Sequence, residues 1–135
     1  MSTELTYLLY VTLLTGILWI PVVIGYVSTR GPLQPSDYVV APSSPLPSWV
    51  NRANRAHVNA VENLVPFAIV VLIANAAGIS TLITAISALV YFYARTAHAV
   101  VHVTGFRHFR ARTVLFTVAW LAFMTFAIEL LRDVM

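Results

Sequence analysis

Between Leu5 and Val27 the chain carries no charged side chain. A helix over that stretch rises about 1.5 Å per residue and so crosses a hydrocarbon layer roughly 30 Å thick. Pro21 falls inside the run and predicts a kink, because proline has no N–H for the carbonyl four residues back and its ring presses on it. Three further apolar stretches follow, over about 48–77, 79–103 and 111–132. The fold class expected is therefore an all-α membrane protein, a bundle of four transmembrane helices in a single domain. Composition agrees: 59% of the 135 residues are hydrophobic and 10% charged, against about a quarter charged in an average soluble domain. So short a soluble chain could not hide that much apolar surface.

The connections have their own signals. From 28 to 47, Gly31, Pro32, Pro35, Pro42, Pro45 and Pro47 predict an extended loop, with Ser48 a candidate N-cap of the second helix. Asn75 and Gly78 mark a turn into the third. Arg107, Arg110 and Arg112 surround the link to the fourth, Arg30 lies in the first loop, and the turn near Gly78 has no basic residue. Basic short loops stay in the cytoplasm, so both termini and the uncharged turn are expected outside. In a prokaryote the location would be the inner membrane. The start Met1-Ser2-Thr3-Glu4 lacks a basic leader, so the first run reads as a retained helix.

The formal charge of +3 sets 8 basic side chains, all arginine, against 5 acidic ones. Arg52, Arg107 and Arg110 read as topology determinants or contacts to lipid phosphate rather than as a nucleic-acid surface. Without cysteine there is no disulfide, thiolate or cysteine metal site. His98 and His102 are one turn apart but have no carboxylate near them in sequence, so no metal is expected.

Ionisable groups inside a lipid span are costly and face protein or water. At about 100° per residue, Arg52, Arg55, Asn59 and Glu62 fall within an arc of roughly 80° on the second helix. Arg95, His98 and His102 share one side of the third. Counted from the outer turn, Glu62 lies about 21 Å deep and Arg95 about 24 Å, which predicts a structural Glu62–Arg95 ion pair. Arg112 opens the fourth helix at the cytoplasmic edge, where it can point into the same region. A stripe so rich in cations and donors suits an anionic, hydrogen-bonding ligand. Pro66, Tyr91, Tyr93, Phe116 and Trp120 read as packing or interface residues.

The string Arg55-Ala56-His57-Val58-Asn59-Ala60-Val61-Glu62-Asn63-Leu64-Val65-Pro66-Phe67 resembles the second-helix signature of the MAPEG superfamily, whose members include microsomal glutathione transferases, membrane prostaglandin E synthase and the 5-lipoxygenase-activating protein. Arg95-Thr96-Ala97-His98 resembles the family's third-helix element, and the whole chain is similar to a bacterial-type glutathione transferase of that family. The resemblance implies a homotrimer binding glutathione as cosubstrate between subunits, through Arg55, Asn59, Glu62, His98, His102, Arg112 and Thr113. Arg112 would be the catalytic residue, holding the thiol as thiolate, unless a link one residue longer than usual gives that part to Arg110. The implied activity is a membrane-bound glutathione-dependent transferase or peroxidase acting on lipophilic electrophiles or lipid hydroperoxides. The alternative is a non-catalytic lipid-binding or accessory protein of the same fold. Three departures stand out: His102 where many members have tyrosine, Phe116 where some synthases have tyrosine, and Ala60 in place of a common aspartate.

Overall fold

The computed structural model describes residues 1–40 and 44–134. Pro42 of the expected loop lies outside the described residues. The fold is an all-helical bundle, with no strand among the described residues. In chain order the helices are α1 (Thr3–Ile17), α2 (Trp19–Arg30), α3 (Ser48–Ala76), α4 (Leu82–Thr104) and α5 (Ala111–Val134), with short 3-10 turns at Pro35–Tyr38 and His108–Arg110.

The pair α1 and α2 is the first apolar run, broken where Pro21 requires it. The interruption falls at Leu18, just past Ile17, whose carbonyl the proline leaves without a donor. Thr3–Arg30, Ser48–Ala76 and His108–Val134 are each long and apolar enough to cross a membrane. The remaining helix, α4, has 23 residues and carries Arg95, His98 and His102, all three buried against its neighbours.

Two expected boundaries move. Ser48 is the first helical residue rather than the cap; Pro47 precedes it without a side-chain bond, and the Ser48 hydroxyl accepts from Arg52 Nη1 at 3.4 Å. The third span starts at Leu82 rather than near 79, because Thr81 caps it. The Thr81 hydroxyl accepts from the Thr84 amide, and the Thr84 hydroxyl accepts from that of Thr81.

Lipid tails are as apolar as leucine, so helices in a bilayer associate through close packing and hydrogen bonds. The buried set reflects this. Ala53, Ala56, Ala60, Ala74, Ala88, Ala94, Ala99, Ala119 and Ala122 line the helix contacts, letting backbones approach. Around them Phe67 stacks on Tyr91 with centroids 3.8 Å apart and meets Phe126 edge-on at 6.2 Å. Hydroxyls inside the spans bond their own helix, as Thr15 does to the Val11 carbonyl at 2.9 Å and Thr96 to that of Phe92 at 2.9 Å. At the N-terminal end of α4 the buried Glu4 accepts from Thr84 at 2.6 Å and Ser80 at 3.0 Å. That polar tie joins α1 to α4 and gives no hint of itself in residue spacing.

Candidate functional site

The seam between α3 and α4 positions the site. The two helices run antiparallel, and three residue pairs are bonded across them in a nearly constant register. Arg52 Nε donates to the Val103 carbonyl at 3.2 Å. Arg95 Nη2 donates to the Asn59 carbonyl at 3.0 Å and to its Oδ1 at 2.9 Å. The Tyr91 hydroxyl donates to the Asn63 carbonyl at 2.7 Å, one residue past the carbonyl that Pro66 leaves without its helical donor. Arg52, Asn59 and Asn63 thus share one line down α3.

That line extends one expectation and corrects another. Arg52, read as a topology or lipid contact, also caps α4, covering a carbonyl that the helix end cannot satisfy. It lies so close to Gly105 that a Cβ there would stand 2.9 Å from Arg52 Nε, and Gly105 ends α4 at φ 75°, where glycine alone is relaxed. The Glu62–Arg95 ion pair does not form. Among the described residues the salt bridge present is Arg132 with Glu129, while Arg95 is taken by Asn59. The reason is phase. Arg52 and Asn59 point into the seam, whereas Arg55 and Glu62 stand roughly 60° further round α3, and both are exposed.

The link from α4 to α5 completes the arrangement. Phe109 and Arg110 both adopt positive φ, 55° and 51°, a region that non-glycine residues seldom occupy. The reversal delivers Arg112 on the first turn of α5 back toward α4, with Nη1 3.3 Å from His102 Nε2. A guanidinium only donates, so His102 accepts at Nε2 and carries its proton on Nδ1, which is buried without a partner. Between the two arginines the geometry favours Arg112 over Arg110 as the one that reaches the stripe.

A cavity of about 310 Å³ opens here, lined by Arg55, Asn59, His98, His102, Arg112, Thr113 and Phe116. Six of the seven expected ligand contacts meet around it; Glu62 does not line it. Phe116, read as packing, forms part of the wall with its ring 6.2 Å from that of His98. Its position one turn after Arg112 was the available signal. The His98 and His102 rings are 5.6 Å apart, and among the described residues no group of three or more His, Cys, Asp or Glu side chains could hold a metal. His57, in the same string but assigned no part, turns the other way, its Nδ1 3.2 Å from the Thr15 carbonyl of α1.

The lining contains two guanidinium groups, two imidazoles, an amide and a hydroxyl, and no carboxylate. Such a wall stabilises negative charge, and one flank, Phe116, is apolar. Among known protein families, the model described as MAPEG family matches residues 7–132. No curated protein matches the chain.

Proposed function

The chain belongs to the MAPEG family, a family of membrane helical bundles, and on that premise we propose that it is a membrane-bound glutathione-dependent transferase or peroxidase. Its substrates are lipophilic electrophiles or lipid hydroperoxides reaching the site through the bilayer. The observation that carries this reading is the carboxylate-free cavity of Arg55, Asn59, His98, His102, Arg112 and Thr113.

The residues suit glutathione. Its carboxylates match Arg55 and the Asn59 amide, which can pair with them through directed N–H groups. Its amine needs an acceptor, and Glu62, exposed beside the cavity on α3, is available on the surface where a second copy would pack. That placement supports a homotrimer with the ligand between subunits. Glutathione supplies the nucleophilic sulfur. Arg112 and the Thr113 hydroxyl stabilise negative charge at the mouth of α5, where the helix N-terminus adds its own partial positive charge. The His102–Arg112 bond fixes the guanidinium in place, and Phe116 offers an apolar wall to a hydrophobic second substrate.

The test is direct. Millimolar glutathione should raise the melting temperature of the purified protein by ligand linkage, and Arg112→Ala should abolish the shift. The wild type should conjugate chlorodinitrobenzene, and mass measurement in detergent should give three copies. No shift and no conjugation would favour the accessory, non-catalytic reading; a mass other than a trimer would remove the intersubunit site.

A further inference from the structure

Beside the site just described lies a second cavity, of about 370 Å³, whose walls include Arg52, Arg107, Arg110 and Arg112. It shares His102, Arg112 and Thr113 with the first cavity but opens toward the α4–α5 link. We propose that this cavity is a separate anion site that takes a phosphate group, the headgroup phosphate of an anionic membrane lipid being the source the surroundings favour.

The charge pattern carries the argument. Four arginines face one space whose lining holds no aspartate or glutamate. None of the four takes part in the salt bridge found among the described residues, which lies at the far end of α5. Guanidinium groups gathered this way repel one another unless an anion sits between them, and their planar forks match phosphate oxygens in pairs. Arg52 is held by the Val103 carbonyl and Ser48, and Arg112 by His102. One wall is therefore fixed, while Arg107 and Arg110 are exposed and free to close on a ligand. Ala111 and Thr113, at the start of α5, also line the space, so the helix N-terminus adds to the attraction for an anion.

The rim points to lipid. Phe106 and Phe109 flank the arginines with relative exposures of 51% and 94%. Exposed apolar rings beside arginine suit a lipid more than a free phosphate, since the rings can meet acyl chain while the guanidinium groups meet the headgroup. A lipid held there would have its acyl chains along the bundle and its phosphate next to, not inside, the site of Arg55 and Asn59.

The experiment titrates the purified protein in neutral detergent with phosphatidylglycerol, with a diacylglycerol lacking phosphate, and with inorganic phosphate. Retained lipid is read by intact-complex mass spectrometry and phosphate by melting temperature. We expect phosphatidylglycerol to bind and diacylglycerol not to. Arg107→Gln with Arg110→Gln should weaken binding about tenfold or more, at roughly 1 kcal/mol per arginine near a headgroup. The double lysine variant should restore most of it, and Arg132→Gln, at the opposite end, should change nothing. Binding of inorganic phosphate alone, lost in the glutamine pair, would uphold the site and identify a soluble source. Binding of neither, or binding unchanged in the glutamine pair, would overturn the proposal. Both side chains are exposed, so an unchanged melting temperature without ligand verifies folding. A retained glutathione shift separates this result from the fate of the first site.

Discussion

Asn59 has two duties that pull in different directions. It lines the candidate glutathione cavity, and it holds the buried Arg95 through both its carbonyl and its side-chain oxygen. Asn59→Ala removes one of those acceptors and should lower stability by about 1 kcal/mol, the usual size of a polar contact between membrane helices. Asn59→Asp supplies Arg95 with a charge partner, so its melting temperature should equal or exceed the wild type. The same carboxylate would face an anionic ligand, so the glutathione shift should vanish. A variant that keeps both stability and the shift would show that Asn59 does not touch the ligand. Glu4 offers the contrasting case, far from the cavity. Thr84→Val keeps the shape of the side chain but removes the 2.6 Å bond to a carboxylate that is 2% exposed, together with the acceptor of the Thr81 amide in the α4 cap. Loss of about 1–3 kcal/mol is expected, with the glutathione shift intact; a loss of the shift as well would mean the two ends are coupled.

At the level of elements, α2 against α3 is the contact with least tolerance. A Cβ on Gly25 would lie 2.5 and 2.8 Å from the methyls of Val50, which is fully buried. Gly25→Ala should therefore cost about 1–3 kcal/mol by overpacking, and Val50→Ala should recover much of that loss. Melting temperatures of the two single variants and the double check it, and simple addition of the two effects would disprove the contact. Because α3 carries Arg52, Arg55 and Asn59, a shifted α3 should also weaken the ligand response. Much at this level was legible in the chain. Long apolar runs mark the spans, Pro21 marks the break, and helical phase picks out most of the residues that gather around the cavity. The Glu62–Arg95 pair failed because phase relates residues within one helix and says nothing of where the neighbouring helix lies. A turn of roughly 60° about α3 puts Asn59 in the seam and Glu62 outside it. The cap that Arg52 makes on α4 is hidden for a related reason: its partner is a backbone carbonyl, which spacing does not reveal. Likewise Thr81 begins α4 through a cap made by its own hydroxyl, while the apolar pattern alone starts it earlier.

Over the whole molecule, charge separates toward two ends. Arg30, Arg52, Arg55, Arg107, Arg110 and Arg112 gather where α2 ends, α3 starts and α4 passes into α5. Glu4, Glu129, Asp133 and Arg132 lie at the other end, with the α3–α4 turn. Both proposed anion sites are at the basic end, so the side of the membrane that this end faces decides which pool of ligand it can sample. Basic loops are retained in the cytoplasm, and that end should open there, where small anionic thiols and anionic lipid headgroups would both reach it. The absence of cysteine makes the orientation measurable without a background. Ala77→Cys, in the α3–α4 turn, should react with a membrane-impermeant maleimide on intact cells. Tyr38→Cys, in the first loop and 78% exposed, should react only after the membrane is opened. The reverse pattern would turn the basic end outward. Both sites would then have to draw on ligands from outside the cell, and the reading of the first as a cytosolic thiol site would fall.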